Sequence, residues 1–361
     1  MWNMNIADFT YDLPQELIAQ TPIEPRDSSR LLVLHRNDGR IEHQHFRDIG
    51  DYLHEGDLLV ANQSRVLPAR LLGVKQDSGG RAEILLLAIR NDLGTDHWEA
   101  LVRPGRRLRA GQRVLFGDGL LIAEILDSTP SGGRIVHLVA REGMVADAIA
   151  RVGTVPLPPY IHAPLADSER YQTVYARLPG SAAAPTAGLH FTPELLASLT
   201  ARGIGLATVT LHIGLDTFRP IDEDDLEAHV MHSEEIELDS EAAEKINVTR
   251  AAGGRIVAVG TTSVRVLESV AALTDEQRAR GELPDPDALV MPFRGRTSLF
   301  LRPGSEFRAV DVMITNFHLP RSTLLVLVSA FAGRELVLRA YEEAVAQRYR
   351  FYSFGDAMLI L

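Results

Sequence analysis

The sequence predicts an α/β protein in which a mixed or parallel sheet, covered by helices, carries an inserted small β-barrel domain. Two observations predict this fold class. Between about residues 66 and 140, six short apolar or β-branched runs are separated by turns rich in Gly, Asn and Asp. After residue 152, strand-like and helix-like segments alternate. We therefore divide the chain into a discontinuous α/β body, residues 1–65 and 152–361, and an inserted barrel, residues 66–151.

The individual elements follow from these patterns. The body is predicted to begin with strands at 31–34 and 58–61, and a short helix at 147–152 closes the barrel module. Thr192 is placed to cap a helix that begins with Pro193. The remaining predicted segments are barrel strands at 67–74, 82–89, 97–102, 113–116, 120–126 and 134–139; body strands at 206–213, 255–259 and 309–314; and body helices at 193–202, 240–252, from 263 to about 273, and from about 320 to 349 with a break at Gly333.

Composition excludes several classes of protein. The 361 residues contain no cysteine, so disulfides, thiolate nucleophiles and iron–sulfur clusters are excluded. The net charge of −11 argues weakly against wholesale coating of nucleic acid, although it allows a local basic strip. The best uncharged apolar run has 12 residues, whereas a membrane-spanning helix needs about 20. We expect a soluble, cytoplasmic protein with no membrane partner.

Small and polar residues collect where three predicted body strands end, which is where open α/β sheets bind ligands. The three segments are 212–220, 260–263 and 315–320. The hydroxyls of Thr261 and Thr262, together with free helix amides, suit a carboxylate or a sugar, but both threonines could equally cap the helix. Asn316 is either a ligand contact or a residue that fixes its loop.

Three histidines are candidates for proton transfer because imidazole titrates near neutral pH. His318 follows one strand, and His212 follows another, where it could equally be a core residue. His190 ends an uncharged run of small residues that suits a loop packed against a ligand. None of the C-terminal histidines has the helical spacing of a zinc site, so we predict no metal.

Residues 103–113 contain five arginines and no acidic residue. On a protein of negative net charge, such a strip either grips phosphates or forms an ordinary solvated face. The chain lacks a GxxxxGK[ST] loop, a GxGxxG turn and a GxSxG elbow, so NTP hydrolysis, ordinary dinucleotide binding and serine hydrolysis find no support.

Taken together, these segments resemble the S-adenosylmethionine:tRNA ribosyltransferase-isomerase family of queuosine biosynthesis, called QueA. The resemblance covers nearly the whole chain. Its motifs are YDLP at 11–14, RDSSRLLVL at 26–34, NQSRVLPARL at 62–71, PLPPYI at 156–161, APTAGLHFT at 184–192, VGTTSVR at 259–265, ITNFHLP at 314–320 and YRFYSFGDAMLI at 349–360. Two departures stand out: the usual GAGTF segment is GLDTF at 214–218, and Gln63 replaces a frequent aspartate.

The resemblance implies a reaction and its partners. S-adenosylmethionine would be consumed as a ribosyl donor, with no separate cofactor. The acceptor would be 7-aminomethyl-7-deazaguanine at the wobble position of tRNA, and the products epoxyqueuosine-tRNA, adenine and methionine. The family also implies a monomer.

The resemblance places site residues in three groups. His190, His212, His318 and Asp216 are candidates for catalysis, because a base must remove a C5′ proton beside the sulfonium. The donor would be held by Thr186, Gly188, Gly214, Thr217, Thr261, Thr262, Arg265 and Asn316. The tRNA would be held by Arg65, Arg70, Arg103, Arg106, Arg107 and Arg109.

Two other functions remain open. A methyltransferase would use the same donor, but it would release S-adenosylhomocysteine, and the expected acidic-GxG loop is missing. A non-catalytic RNA-binding module would explain the arginine strip but not the small and polar residues at the ends of three strands.

Overall fold

The computed structural model describes residues 5–129, 132–214, 226, 231 and 233–361. Contacts divide the chain into two compact units. The body comprises Met1–Ser64, Pro158–Leu178 and Pro185–Leu361, and the barrel unit comprises Arg65–Leu157 and Pro179–Ala184. Arg65 and residues 152–157 and 179–184, which the sequence interpretation places in the body, thus belong to the barrel unit by this division.

The strands are β1 (Arg30–Leu34), β2 (Ile41–His45), β3 (Leu58–Asn62), β4 (Ser64–Val66), β5 (Arg70–Lys75), β6 (Arg81–Ile89), β7 (His97–Arg103), β8 (Arg113–Phe116), β9 (Leu121–Ser128), β10 (Arg134–Ala140), β11 (Gly153–Thr154), β12 (Leu178–Ser181), β13 (Gly205–Leu211), β14 (Glu234–Leu238), β15 (Ile256–Val259), β16 (Phe293–Thr297), β17 (Val312–Asn316) and β18 (Ala357–Ile360). The α-helices are α1 (Val145–Val152), α2 (Pro193–Ala201), α3 (Ser240–Ala251), α4 (Thr261–Ala279), α5 (Thr323–Ala332) and α6 (Arg334–Ala346). Short 3₁₀ helices lie at Ile6–Phe9, Gln15–Leu17, Arg26–Ser28, Phe46–Asp51, Asn91–Leu93, Gly105–Arg107, Ser168–Tyr171 and Thr186–His190.

A nine-stranded mixed sheet forms the body, in the order β16-β14-β13-β3-β15-β17-β18-β1-β2. Its four central strands β13, β3, β15 and β17 run parallel. Strands β3, β15 and β17 are buried along their whole length, as expected of parallel strands covered on both faces. Their carboxyl ends lie at one edge of the sheet, which we call the carboxyl edge.

Helix α2 begins as the sequence predicts, whereas the cap of α5 was not predicted and α4 has no side-chain cap among the described residues. Thr192 and Ser322 cap α2 and α5 by accepting hydrogen bonds from Leu195 N (3.0 Å) and Leu325 N (3.2 Å). At α4, Gly260 takes the capping position with φ of +87°, and no described side chain caps the helix. A left-handed φ favours glycine, which explains Gly260 at this sharp strand-to-helix turn.

The barrel unit contains a closed six-stranded antiparallel barrel. Its strands follow the order β5-β6-β7-β10-β9-β8, and pairing of Val74 with Leu115 closes the ring between β5 and β8. Alternating burial along β6 directs Ile84 and Leu86 into a core that also holds Phe116 and Val136. The predicted fold class, an α/β body with an inserted barrel, is confirmed.

Several boundaries differ from the prediction. Strand β17 lies at Val312–Asn316 rather than 309–314, and α4 continues to Ala279. Strands β2, β4, β11, β12, β14, β16 and β18 were not predicted. Three of these are antiparallel strands (IEHQH, EEIEL and FRGRT) that contain too few apolar residues to form an apolar run. Among the described residues, no helix has the length and apolar character needed to cross a bilayer.

Candidate active site

Each of the four parallel strands places at the carboxyl edge one polar atom that has no hydrogen-bond partner among the described residues. These atoms are Ser64 Oγ beyond β3, His212 Nδ1 beyond β13, Thr262 Oγ1 beyond β15 and Asn316 Oδ1 at the end of β17. All four atoms are buried and make no hydrogen bond with any described residue. A buried polar atom without a partner costs about 1–3 kcal/mol, so folded proteins rarely retain one without a reason. Four at one sheet edge indicate that a polar ligand supplies the missing partners.

The hydrogen bonds at the start of α4 show whether Thr261 and Thr262 cap the helix or leave their hydroxyls for a ligand. Thr261 is buried, and Thr262 Oγ1 has no partner among the described residues, so neither threonine caps the helix. Ser263 instead donates to Val259 O at 2.8 Å. The alternative that these residues only cap the helix is therefore wrong. Their hydroxyls, and amides to which no described side chain is bonded, are left for a ligand.

The 3₁₀ turn from Thr186 to His190 lies against this helix start. An ideal Cβ built on Gly260 would be 3.5 Å from Ala187 Cβ. A Cβ on Gly188 would lie 2.0 Å from the hydroxyl of Tyr175 and 2.8 Å from Thr173 Cγ2, so only glycine fits. The Tyr175 hydroxyl and Thr173 Oγ1 are themselves buried without partners in the described parts of the chain. Sequence analysis missed both residues, because they lie in an irregular segment with no motif.

His190 is held at both ring nitrogens. Nδ1 lies 2.7 Å from Ser29 Oγ, and Nε2 lies 3.2 Å from Asn316 Nδ2. Asn316 Nδ2 also approaches the carbonyl oxygens of Tyr352 and Asp356, at 3.3 and 3.4 Å, which fixes it as the donor. His190 Nε2 therefore accepts and Nδ1 carries the proton. This arrangement orients the amide oxygen of Asn316 as the free atom.

The pKa of His190 is lowered to about 3 by burial, and the positive charges of Arg350 and Arg26 add to the effect. Burial alone lowers the pKa of His318 to about 3 as well. Nε2 of His318 lies 2.7 Å from Thr315 Oγ1, and its carbonyl accepts from the Tyr11 hydroxyl at 2.6 Å. Both imidazoles are neutral at physiological pH and are weak bases, so their geometry suits orientation better than proton removal.

His212 differs from the other two histidines because it is only partly buried and Nδ1 has no described partner. Burial lowers its pKa, whereas the carboxylates of Glu235 and Glu237 act in the opposite direction. Of the three predicted bases, His212 alone combines a buried ring nitrogen that makes no described hydrogen bond with acidic neighbours that favour its protonated form. Asp216 and Thr217 lie outside the described residues.

Arg265 forms a buried ion pair with Glu234 through Nη1, and its Nε donates to Leu299 O at 3.3 Å. Its other terminal nitrogen, Nη2, is buried without a partner among the described residues. Glu234 also accepts from the amide of Gly214 at 3.3 Å. These interactions bring two predicted donor-binding residues, Arg265 and Gly214, onto one carboxylate.

Gln63 accepts from Thr208 Oγ1 at 3.1 Å and donates to Thr210 Oγ1 at 3.3 Å, so it joins β3 to β13 as a neutral side chain. Thr186 begins the 3₁₀ turn and is half-buried. Within the described residues, no group of three or more His, Asp or Glu side chains is placed to hold a metal.

In the barrel unit, Arg103, Arg106, Arg107 and Arg109 are exposed and form no ion pair with any described residue. Arg134 holds the backbone of their loop by donating to Gly105 O at 2.7 Å and Leu108 O at 3.0 Å. By contrast, Arg70 is paired with Glu83 at 3.2 Å, and Arg65 is half-buried. The loop therefore presents exposed guanidinium groups from an anchored backbone.

The fold and the edge together define an α/β protein whose parallel strands end in buried polar atoms without described partners and whose β-barrel carries a basic loop. The model of the queuosine biosynthesis protein family matches residues 6–360, so the chain belongs to this family. The family resemblance identified from the motifs is thereby confirmed.

Individual relatives of this chain are consistent with the family match. The chain is 56% identical over 358 residues to the S-adenosylmethionine:tRNA ribosyltransferase-isomerase of Symbiobacterium thermophilum, covering 99% of this chain and 100% of the relative. It is 52% identical over 357 residues to the protein of the same name from Acetivibrio thermocellus, with the same coverage. The chain is also similar to the crystal structure of the S-adenosylmethionine tRNA ribosyltransferase from Thermotoga maritima, with 42% sequence identity and a TM-score of 0.54. The match covers 98% of this chain and 100% of that chain.

Proposed function

We propose that this enzyme transfers the ribosyl group of S-adenosylmethionine to 7-aminomethyl-7-deazaguanine at the wobble position of tRNA and isomerises it to the epoxycyclopentane of epoxyqueuosine. Adenine and methionine are released, and the donor is consumed rather than regenerated. The observation that carries the proposal, beside family membership, is the row of unpartnered atoms along the carboxyl edge. A nucleoside with its ribose hydroxyls offers the donors and acceptors that these atoms lack.

The first chemical step requires a base at the C5′ carbon, whose hydrogens are acidified by the adjacent sulfonium. His212 is the best base because Nδ1 has no described partner and because its carboxylate neighbours counter the lowering of its pKa by burial. His190 is assigned to positioning, since its two ring nitrogens are taken up by Ser29 and Asn316. Asn316 Oδ1 and Thr262 Oγ1 are assigned to the hydroxyls of the ribose.

The departing adenine requires a hydrogen-bond donor, because a bare purine anion is a poor leaving group. Burial raises the pKa of the Tyr175 hydroxyl well above its usual range, so the group keeps its proton. The hydroxyl also makes no hydrogen bond with a described residue and is close to Gly188. We assign Tyr175 to donate a hydrogen bond to the purine or to a polar group of the ribose beside it.

The tRNA is held through its phosphates by the anchored arginine loop of the barrel unit, while the modified base leaves its stack to reach the site. Arg103, Arg106, Arg107 and Arg109 suit this role because they are exposed and form no ion pair within the described chain. The proposal includes action as a monomer in the cytoplasm, where tRNA resides; sedimentation at 39.7 kDa checks the monomer.

One experiment tests the reaction. Enzyme is mixed with S-adenosylmethionine and tRNA carrying the aminomethyl base, and the small-molecule products are separated by chromatography. We expect adenine and methionine in equal amounts, with a matching gain of mass on the tRNA. Release of S-adenosylhomocysteine would identify a methyltransferase, and binding of tRNA without any product would identify a non-catalytic RNA-binding protein. Either result contradicts the proposal.

A further inference from the structure

A small recess of the body lies between the first turns of α4 and α5. It is lined by Arg265, Thr323 and Leu324 and by apolar side chains, among them Leu299, Leu301 and Leu327. Its cavity volume is about 20 Å³, which is room for a small polar group rather than for a whole ligand. Arg265 is the sole charged residue of the described lining. The recess is therefore an apolar pocket with a single charged group, and that group is positive.

The recess contains donor groups that have no acceptor among the described residues. Arg265 is 6% exposed, and its Nη2 is buried with no hydrogen bond to a described residue, although Nη1 and Nε are both occupied. Thr323 and Leu324 are the first two residues of α5, and Ser322 caps only the amide of Leu325. The first amides of a helix have no acceptor within the helix, and they favour a negative charge. Guanidinium and amide donors thus meet in one pocket without a described acceptor.

We infer that this recess binds the carboxylate of the methionine part of S-adenosylmethionine, with Arg265 Nη2 and the first amides of α5 as donors and with the leucines against the carbon chain. The inference rests on the proposed function and assigns one end of the donor to a site. A guanidinium and two backbone amides form charge-assisted hydrogen bonds with a carboxylate.

The spacing along α4 fits this ligand. Arg265 follows Thr261 by four residues and Thr262 by three, so each threonine neighbours Arg265 on the helix surface with about 5–6 Å between their Cβ atoms. In the donor, three carbon atoms separate the sulfonium from the carboxylate. The hydroxyls of the first turn are therefore placed for the ribose, and the guanidinium one turn further for the carboxylate.

The Glu234 carboxylate links this recess to the rest of the site. It neutralises Arg265 while also accepting from the amide of Gly214. Binding of a carboxylate at Nη2 leaves this pair intact, since Nη1 alone is bonded to Glu234. The pair thus keeps the guanidinium oriented before the donor arrives.

The test compares two donors by titration calorimetry on the full chain without tRNA. One is S-adenosylmethionine, and the other is decarboxylated S-adenosylmethionine, in which hydrogen replaces the carboxylate. We expect the intact enzyme to prefer the first donor by roughly 10- to 100-fold, as hydrogen bonds to a charged group predict. In the double variant Glu234→Gln/Arg265→Met, which leaves no buried charge unpaired, this preference should fall to a few-fold.

A second variant avoids the ion pair altogether. Thr323→Pro removes one amide donor at a position where helices accept proline, so α5 should remain folded. Its preference for the carboxylate donor should fall by several-fold. Thr262→Val is the matched control, because removal of a hydrogen bond to the ribose should weaken both donors equally. Arg250→Met, which breaks the ion pair with Asp311 (3.0 Å) and lies outside the recess, controls for the removal of an arginine.

Each outcome decides the question. If the intact enzyme binds both donors equally, or if both variants keep the full preference, the carboxylate is held elsewhere and the inference is wrong while the proposed function stands. If neither donor binds, the inference is wrong, because the recess does not hold the donor in the free enzyme, and the product assay with tRNA decides the proposed function separately. A preference that falls in both variants and persists in Thr262→Val and Arg250→Met supports the inference.

Discussion

The body and the barrel unit treat their polar groups in opposite ways. At the carboxyl edge of the body, Ser64, Thr262 and Asn316 bury side-chain atoms that have no described partner. In the arginine loop of the barrel, Arg134 satisfies the backbone carbonyls, and the charged groups face solvent. Unpaired buried atoms at fixed positions select a ligand of fixed shape, whereas exposed charges attract a polyanion over a wide surface. The two regions therefore suit a nucleoside and an RNA backbone, respectively.

The largest expected effect concerns the buried histidines of the body. The pKa of His190 and His318 is about 3 in the folded protein and about 6.5 in the unfolded chain. Below pH 6.5 the unfolded state therefore binds more protons, and the free energy of unfolding falls as the pH drops from 6.5 towards 3. Each histidine contributes about 1.4 kcal/mol per pH unit. Denaturant unfolding between pH 7 and 4 measures the slope.

The control for this prediction is His318→Asn, which should remove about half of the histidine contribution to the slope. Burial raises the pKa of Glu268 and Asp356, so these carboxyl groups change the free energy of unfolding with pH in the direction opposite to the histidines. The slope of the variant must therefore be compared with the slope of the parent protein. Hydrogen exchange, corrected for its intrinsic rate, should show reduced protection in β15 of the body and not in β9 of the barrel. An unchanged slope in the variant would contradict the assignment of a neutral buried imidazole.

The next effect concerns the fit at Gly188. In Gly188→Ala the new Cβ would lie 2.0 Å from the Tyr175 hydroxyl, so the tyrosine or the turn must move. A shift of this size at a reacting group costs on the order of 100-fold in rate, and we expect that decrease in single-turnover release of adenine. Tyr175→Phe in the same chain should not restore the rate, because Thr173 Cγ2 at 2.8 Å and the ring carbon at 2.9 Å still clash with the new Cβ and the proposed donor is lost.

Gly80→Ala is the matched control in the barrel unit. Its new Cβ meets only Ser78 Oγ, at 3.5 Å, which is an ordinary distance between unbonded atoms. Adenine release at the parent rate in Gly188→Ala would show that Tyr175 and the turn shift without consequence for the reaction. In that case the proposed role of the Tyr175 hydroxyl would be wrong.

The sequence predicts the strand ends of the site well, but not its surroundings. His212, Thr262 and Asn316 could be named because polar residues directly follow apolar runs, and the ends of parallel strands meet at one edge. Thr173 and Tyr175 could not be named, since their irregular segment carries no periodicity and only tertiary packing brings them to Gly188. The sequence also does not show which side chains interact. Nothing in the chain order predicts that Arg265 pairs with Glu234 or that Arg134 binds the backbone of the arginine loop.

The arginine loop gives a smaller expected effect. Charge reversal in Arg106→Glu/Arg107→Glu should weaken tRNA binding about 10- to 100-fold near 0.1 M salt. The slope of log K against log salt should also become less steep, by about 0.7–0.9 for each phosphate that is no longer bound. Filter binding across a salt series measures both quantities. The exchange Arg113→Glu/Glu124→Arg, which keeps the ion pair of 2.9 Å and the net charge, should leave both unchanged. An unaltered salt slope in the first variant would make the strip an ordinary solvated face.

The smallest effect separates the anchor of the loop from its charges. Arg134→Met removes the donors to Gly105 and Leu108 but leaves the exposed arginines in place. We expect tRNA binding to weaken only a few-fold, because the loop must be ordered on binding, and the salt slope to stay at the parent value, because the arginines still bind their phosphates. Filter binding and the salt series again provide the measurement. A slope that falls as it does in the charge-reversed variant would mean that Arg134 itself binds a phosphate, and the distinction between anchor and charge would then fail.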